Sequence, residues 1–169
     1  MMKKIAAFLV IASFLIAGCV KNKNTSCGFT DSSLIAPTSE VDSLFRLLKD
    51  SAITASPSAT GFYYSIQQHG SGTAIVNLCS NVVVSYKAML FNGTIFDSTA
   101  TGQLASFQLG QVITGWQKGL PLIVKGGDIT LYIPPTLAYG STSVTDNNGH
   151  VVIPGGSYLK FQIHLVDVQ

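Results

Sequence analysis

Residues 159–165 alternate without a break. Leu159, Phe161, Ile163 and Leu165 fall on one side, Lys160, Gln162 and His164 on the other, with Tyr158 ahead on the polar side. Successive side chains of a strand point to opposite faces, so such a run covers one face and wets the other. That is the signature of an antiparallel sheet with one buried face. Ile129, Leu131 and Ile133 alternate in the same way with Thr130 and Tyr132 before Pro134-Pro135 ends the strand. Phe62–Gln68 is aromatic-rich and stops at His69-Gly70-Ser71-Gly72. Val82–Phe91 is a further extended run, and Asn92-Gly93 is a hairpin signal that folds it back onto Thr94-Ile95-Phe96. Thr114–Val124 is the one helical candidate in this half, kept short by Gly115, Gly119 and Pro121. The expectation is an α+β domain over residues 61–169, a curved antiparallel sheet (a half-barrel) wrapped around one short helix, without internal repeats.

Ahead of it, Pro37-Thr38-Ser39-Glu40 opens a second helix. Val41, Leu44, Phe45 and Leu48 recur at helical spacing, and Glu40 suits the positive end of the helix dipole. Residues 38–50 read as an amphipathic accessory helix packed on the domain, with a partner-binding face as the alternative. The stretch to residue 60, rich in Ser, Thr and Ala, reads as a linker.

The first 18 residues are of another kind. MMKKIAAFLVIASFLIAG carries Lys3, Lys4, no acid and an apolar run from Ile5 to Ala17. A spanning helix needs roughly 20 apolar residues, so this shorter run reads as a secretory signal. Leu15-Ile16-Ala17-Gly18-Cys19 resembles a bacterial lipobox, which implies cleavage before Cys19 and lipid attachment to it; an ordinary signal-peptide cut is the alternative. Residues 19–37 would then be a polar tether, holding the domain on the cell envelope at a membrane surface. Val20 is not the Asp that commonly retains such proteins at the inner membrane, so the outer membrane is the expected site.

The leader also accounts for the charge. The chain has Lys+Arg 10 and Asp+Glu 8, a formal charge of +2, and only 11% charged residues. Without residues 1–18 there remain 8 basic and 8 acidic residues. A neutral, charge-poor domain is not a nucleic-acid binder. Of the three cysteines, Cys27 and Cys79 remain once Cys19 is set aside. An even remainder in an oxidising compartment suggests a disulfide, with two free thiols as the alternative. A closed loop of this length would stabilise the fold by roughly 4 kcal/mol in the chain-entropy model.

Familiar reactive sets are missing. His69, His150 and His164 are scattered, without ligand spacing for a metal; no Gly-rich phosphate loop or nucleophile elbow occurs, and no cofactor is expected. Glu40 is the only glutamate, so paired-glutamate catalysis is excluded. Asp97 and Asp128 remain as candidate acids, the second beside a glycine pair and better suited to a turn. Aromatic residues and small loops dominate, and a site made of them would bind apolar groups by shape and desolvation.

Five blocks now fall in order. Tyr86-Lys87-Ala88-Met89-Leu90 with Asn92-Gly93-Thr94-Ile95-Phe96-Asp97-Ser98, then Phe107-Gln108-Leu109-Gly110 through Val112-Ile113-Thr114-Gly115-Trp116, then Ala138-Tyr139-Gly140, Ile153-Pro154 and Leu159-Lys160-Phe161. Together they resemble the FK506-binding-protein (FKBP) type of peptidyl-prolyl cis-trans isomerase over residues 80–169. The resemblance implies an FKBP-like fold and isomerisation of X–Pro bonds in proline-containing, unfolded or nascent exported proteins, by a monomer. It implies that Tyr86, Asp97 and Tyr139 are catalytic. Phe96, Phe107, Val112, Ile113, Trp116, Ile153 and Phe161 would bind substrate, with Trp116 as the floor and the Ile113 N–H as donor to the substrate carbonyl. Ala88 stands where the family has glycine. Ala105 stands where a pocket aromatic is often found, with Phe107 the nearest substitute, and Ser141–Val152 makes a longer loop ending in an exposed tip at 146–150. A proline-peptide binder of low turnover is the alternative function, and a structural envelope lipoprotein the third.

Overall fold

The computed structural model describes residues 27–169, so the leader and Cys19 lie outside the described residues. Helix α1 spans Thr38–Asp50 and is followed by β1 (Ser56–Pro57), β2 (Tyr63–Gln68), β3 (Asn81–Leu90), β4 (Ile95–Ser98) and β5 (Ala105–Gln108). Helix α2 spans Thr114–Gly119, and β6 (Gly127–Ile133), β7 (Val144–Thr145), β8 (Val151–Ile153) and β9 (Leu159–Val168) complete the chain. A seven-stranded sheet runs β1-β2-β6-β9-β3-β4, with β5 also paired to β3. Every pairing in it is antiparallel. β7 and β8 form a separate hairpin.

The alternation in β9 is realised residue by residue. Leu159, Phe161, Ile163 and Leu165 are buried, while Gln162 is exposed and Lys160 and His164 half-buried. β9 lies at the sheet's centre between β6 and β3, so its buried residues form rungs with both neighbours. Leu131 and Ala88 flank Phe161; Ile129 and Tyr86 flank Ile163. Ala88 is fully buried, paired with Phe161 of β9 and with Asp97 of β4, where the register slips before Met89. The only positive-φ non-glycine residue among those described is Ala52, so position 88 has no left-handed backbone that would call for glycine.

Helix α2 crosses the concave face very closely. A Cβ at Gly115 would come within 2.5 Å of Ile133, and one at Gly119 within 2.6 Å of Leu131. The two glycines, four residues apart, form a smooth stripe that lets the helix backbone lie directly on β6. The neighbouring Trp116 is thereby driven into the core.

On the convex face, α1 closes a smaller core. Leu44 and Leu48 meet Tyr132, with Tyr63, Phe91 and Tyr158 around them. Burying leucines of this kind stabilises by about 1.5–3 kcal/mol each. Tyr132, on the face that alternation marks as wet, is only 5% exposed because α1 covers it. Glu40 adds a polar tie, accepting hydrogen bonds from the Thr136 N–H (3.0 Å) and hydroxyl (2.8 Å). β1, within the stretch read as a linker, pairs with β2 and extends the sheet. Cys27 and Cys79 are joined in a disulfide with Cα atoms 5.6 Å apart.

Candidate active site

Where α2 meets the sheet, the concave face leaves a cavity of about 270 Å³. Trp116, 4% exposed, sits at its centre of contacts. Three rings stand almost perpendicular to the indole: Tyr86 at 5.5 Å and 86°, Phe107 at 5.8 Å and 89°, and Phe161 at 5.5 Å and 86° between centroids. Edge-to-face contacts put the positive ring edge against the negative face, each worth about 0.5–1.5 kcal/mol beyond area burial. Tyr86 and Phe107 also meet edge-on at 5.9 Å, which closes the cage. Each ring comes from a different element: β3, β5, α2 and β9.

Among the described residues, Trp116 Nε1 is the one buried side-chain polar atom without a hydrogen-bond partner. An unpaired buried donor costs about 1–3 kcal/mol. The contacts that hold Trp116 in the fold are those of its ring.

A hydrogen-bonded polar pair stands beside the rings. The Tyr86 hydroxyl donates to Asp97 Oδ2 at 2.5 Å. Burial, then the hydrogen bond to Asp97 and its negative charge, push the Tyr86 hydroxyl well above its ordinary range. Burial followed by the charge of Asp97 raises Tyr139 as well. Both phenols therefore stay protonated donors facing one carboxylate. Tyr139, 42% exposed, lines the open side.

The opposite wall is the chain entering α2. Leu109–Gln111 makes one 3₁₀ turn, and Ile113 caps the helix in extended backbone at φ −59°, ψ 150°. Gln117, on α2, reaches back and donates its Nε2 to Val112 O at 2.8 Å and Gly110 O at 3.4 Å. The Ile113 N–H itself has no acceptor among the described residues. It is an open donor beside the cage.

Of the residues expected from sequence, Tyr86, Asp97, Phe107, Val112, Ile113, Trp116, Tyr139 and Phe161 come together around the cavity. Phe96 and Ile153 do not line it. Phe96 meets Phe161 edge-on at 6.0 Å, and Ile153, 3% exposed, belongs to the main core. Gln111 lines the cavity and Gln117 braces its wall, and neither is singled out by sequence: an exposed or half-buried glutamine carries no spacing signal. Phe107 lines the cavity, while Ala105, two residues earlier on the same strand, does not.

A half-barrel around one short helix, with an aromatic cage where helix and sheet meet, defines the FKBP class of isomerase domain. The chain belongs to that family. The FKBP-type peptidyl-prolyl cis-trans isomerase model matches residues 72–166. FkpA of Escherichia coli strain K12, an FKBP-type isomerase, is 43% identical over 113 residues, covering 66% of this chain and 39% of that protein. FkpA of Buchnera aphidicola subsp. Schizaphis graminum is 41% identical over 115 residues, 68% of this chain and 43% of that one. The chain thus spans about two fifths of the length of these curated relatives. The crystal structure of FkpA from Escherichia coli superposes with a TM-score of 0.65 at 37% identity, over 78% of this chain and 60% of that one. That of AtFKBP13 gives 0.62 at 32% identity, over 69% of this chain and 99% of that one.

Proposed function

We propose that this protein turns X–Pro peptide bonds in proline-containing segments of unfolded or nascent exported proteins. Rotation about such a bond crosses a barrier of about 18–20 kcal/mol, set by amide resonance. The planar amide is strongly polar; the twisted one, its resonance broken, is less so and has a pyramidal nitrogen. A dry wall of four rings therefore disfavours the planar form relative to the twisted one, which is differential binding of the transition state. The proline ring fits the cage by apolar contact. The Ile113 N–H donates to a peptide carbonyl and holds the chain on one side while the other turns. Tyr139 donates from the open side, and Asp97 fixes Tyr86 in place. No bond is made or broken, so no nucleophile is needed.

The observation that carries this reading is the cage around Trp116, with an unpaired backbone donor on one wall and the Tyr86–Asp97 pair on the other. Its test is cis–trans exchange of an X–Pro peptide followed by NMR. Exchange accelerated by micromolar protein is expected; exchange at the uncatalysed rate, with the peptide bound, would leave a proline-peptide binder instead.

Localisation rests on the leader. The lipobox-like Leu15–Cys19 supports a lipid anchor at Cys19, with the domain carried as a monomer on the envelope, in the outer membrane. Cys19→Ser should move the protein from the membrane to the soluble fraction; its retention in membranes would refute the anchor.

A further inference from the structure

The family match begins at residue 72, yet residues 27–40 contact the chain just ahead of two walls of the cavity, at Gly110 and at Thr136. On one side the chain from Cys27 runs across the entrance to α2. The Phe29 ring lies on Gly110 so closely that a Cβ there would come within 2.3 Å of Phe29 Cγ. Asp31 pairs with Lys118 of α2 at 2.6 Å. The disulfide ties this segment to Cys79, whose neighbours hold the same wall: Leu109 N–H donates to Ser80 O at 3.0 Å, and Gly110 N–H to Leu78 O at 2.7 Å. Gly110 directly precedes Gln111, Val112 and Ile113, which line the cavity.

On the other side, Glu40 accepts both the N–H and the hydroxyl of Thr136. That fixes the 3₁₀ turn Pro135–Leu137, two residues before Tyr139. A carboxylate taking two hydrogen bonds from one residue fixes orientation as well as position.

We propose that residues 27–40 are a positioning brace for the isomerase site, Phe29 steadying the Ile113 wall and Glu40 the Tyr139 wall. The inference rests on the isomerase reading, since neither side chain touches the cavity. Each acts through a contiguous chain of contacts, the physical route by which distant substitutions change a site. The aromatic cage is built from other elements, so loss of the brace should leave capture of the proline ring intact and misplace the donors that act on the turning amide.

The test uses the full chain with Phe29→Ala, Glu40→Ala and, as conservative partners, Phe29→Tyr and Glu40→Gln. Exchange kinetics and amide NMR signals are read well below each variant's melting temperature. Phe29→Ala and Glu40→Ala should each lower kcat by about three- to tenfold with KM little changed. Phe29→Ala should shift the Val112 and Ile113 amide signals and spare Tyr139; Glu40→Ala should shift Thr136 and Tyr139 and spare Ile113. Phe29→Tyr, which keeps a ring on Gly110, and Glu40→Gln, which keeps an acceptor for Thr136, should recover most of the loss. A fall in melting temperature alone, with kcat and those signals unchanged, would overturn the brace. Absence of turnover in the wild type would sink the isomerase reading, and the amide signals would still decide the brace.

Discussion

The central sheet carries a hollow on each face, and the larger is not the one suited to the chemistry. On the convex side, beneath the 99–104 loop, lies a wide trough of about 810 Å³ lined by Ser85, Lys87, Thr130, Gln162 and His164. On the concave side lies the cavity of about 270 Å³, walled by rings. The same two strands furnish both: Tyr86 and Phe161 turn inward, while their neighbours Ser85, Lys87 and Gln162 turn outward. Strand alternation thus separates a dry face from a wet one within single-residue steps. An amide is desolvated only where rings exclude water on several sides; a broad trough with amides and hydroxyls keeps it solvated. Wall chemistry, not volume, separates the two.

The largest expected effect is on the concave side. Trp116→Ala should cost about 3–5 kcal/mol of stability by urea unfolding, since it empties the centre of the cage. Trp116→Phe keeps a ring and removes the unpaired indole donor, so its cost should stay below about 1.5 kcal/mol. A Trp116→Phe cost as large as that of Ala would mean that the N–H, and not the ring, holds the position.

Next comes the mouth. Asp97→Ala should lower catalysed exchange about ten- to a hundredfold, the worth of a hydrogen bond to a charged group. Its effect on unfolding should be small, because Asp97 is exposed. Exchange kinetics unchanged by Asp97→Ala would separate the Tyr86–Asp97 pair from the reaction.

Alkaline pH provides a subtler test of dryness. Tyr86 and Tyr139 have hydroxyl pKa values raised above 10.0, by burial first and Asp97 second. The folded chain then holds these protons more tightly than the unfolded one. Their contribution is full below pH 10 and is lost as pH rises through the folded values. Unfolding free energy should therefore fall above about pH 10, and less steeply in Tyr86→Phe. A variant with the same alkaline slope as the wild type would show that the ring is not desolvated. The smallest effect belongs to the trough. His164 pairs with Asp128 at 2.9 Å, both side chains about two fifths exposed, so His164→Ala should change stability by less than about 1 kcal/mol and leave exchange untouched.

Much of the dry face was legible before the structure. β9 announces itself because each apolar residue lands on one face of a central strand, whereas the Val-Ile-x-Gly-Trp block points to the pocket only through its resemblance to the family. Tyr132 was misleading: alternation predicts its side of the strand, and only the arrival of α1 from almost ninety residues earlier buries it. β5 went unread because Ala105–Gln108 alternates for only two repeats of the strand period. Phe96 and Ile153 have the same apolar character as the residues that line the cavity, so composition alone does not separate lining from core. The links from Phe29 to Gly110 and from Glu40 to Thr136 leave no local pattern at all. They arise from long-range closure, which no window along the chain samples.

The most direct test of where the substrate sits is a titration of the ¹⁵N-labelled protein with a short X–Pro peptide. Amide shifts should concentrate at Tyr86, Asp97, Ile113, Trp116 and Tyr139, with Ser85, Gln162 and His164 changing far less. The largest shifts at Gln162 and His164, with Ile113 and Trp116 still, would place the peptide in the trough and contradict the account.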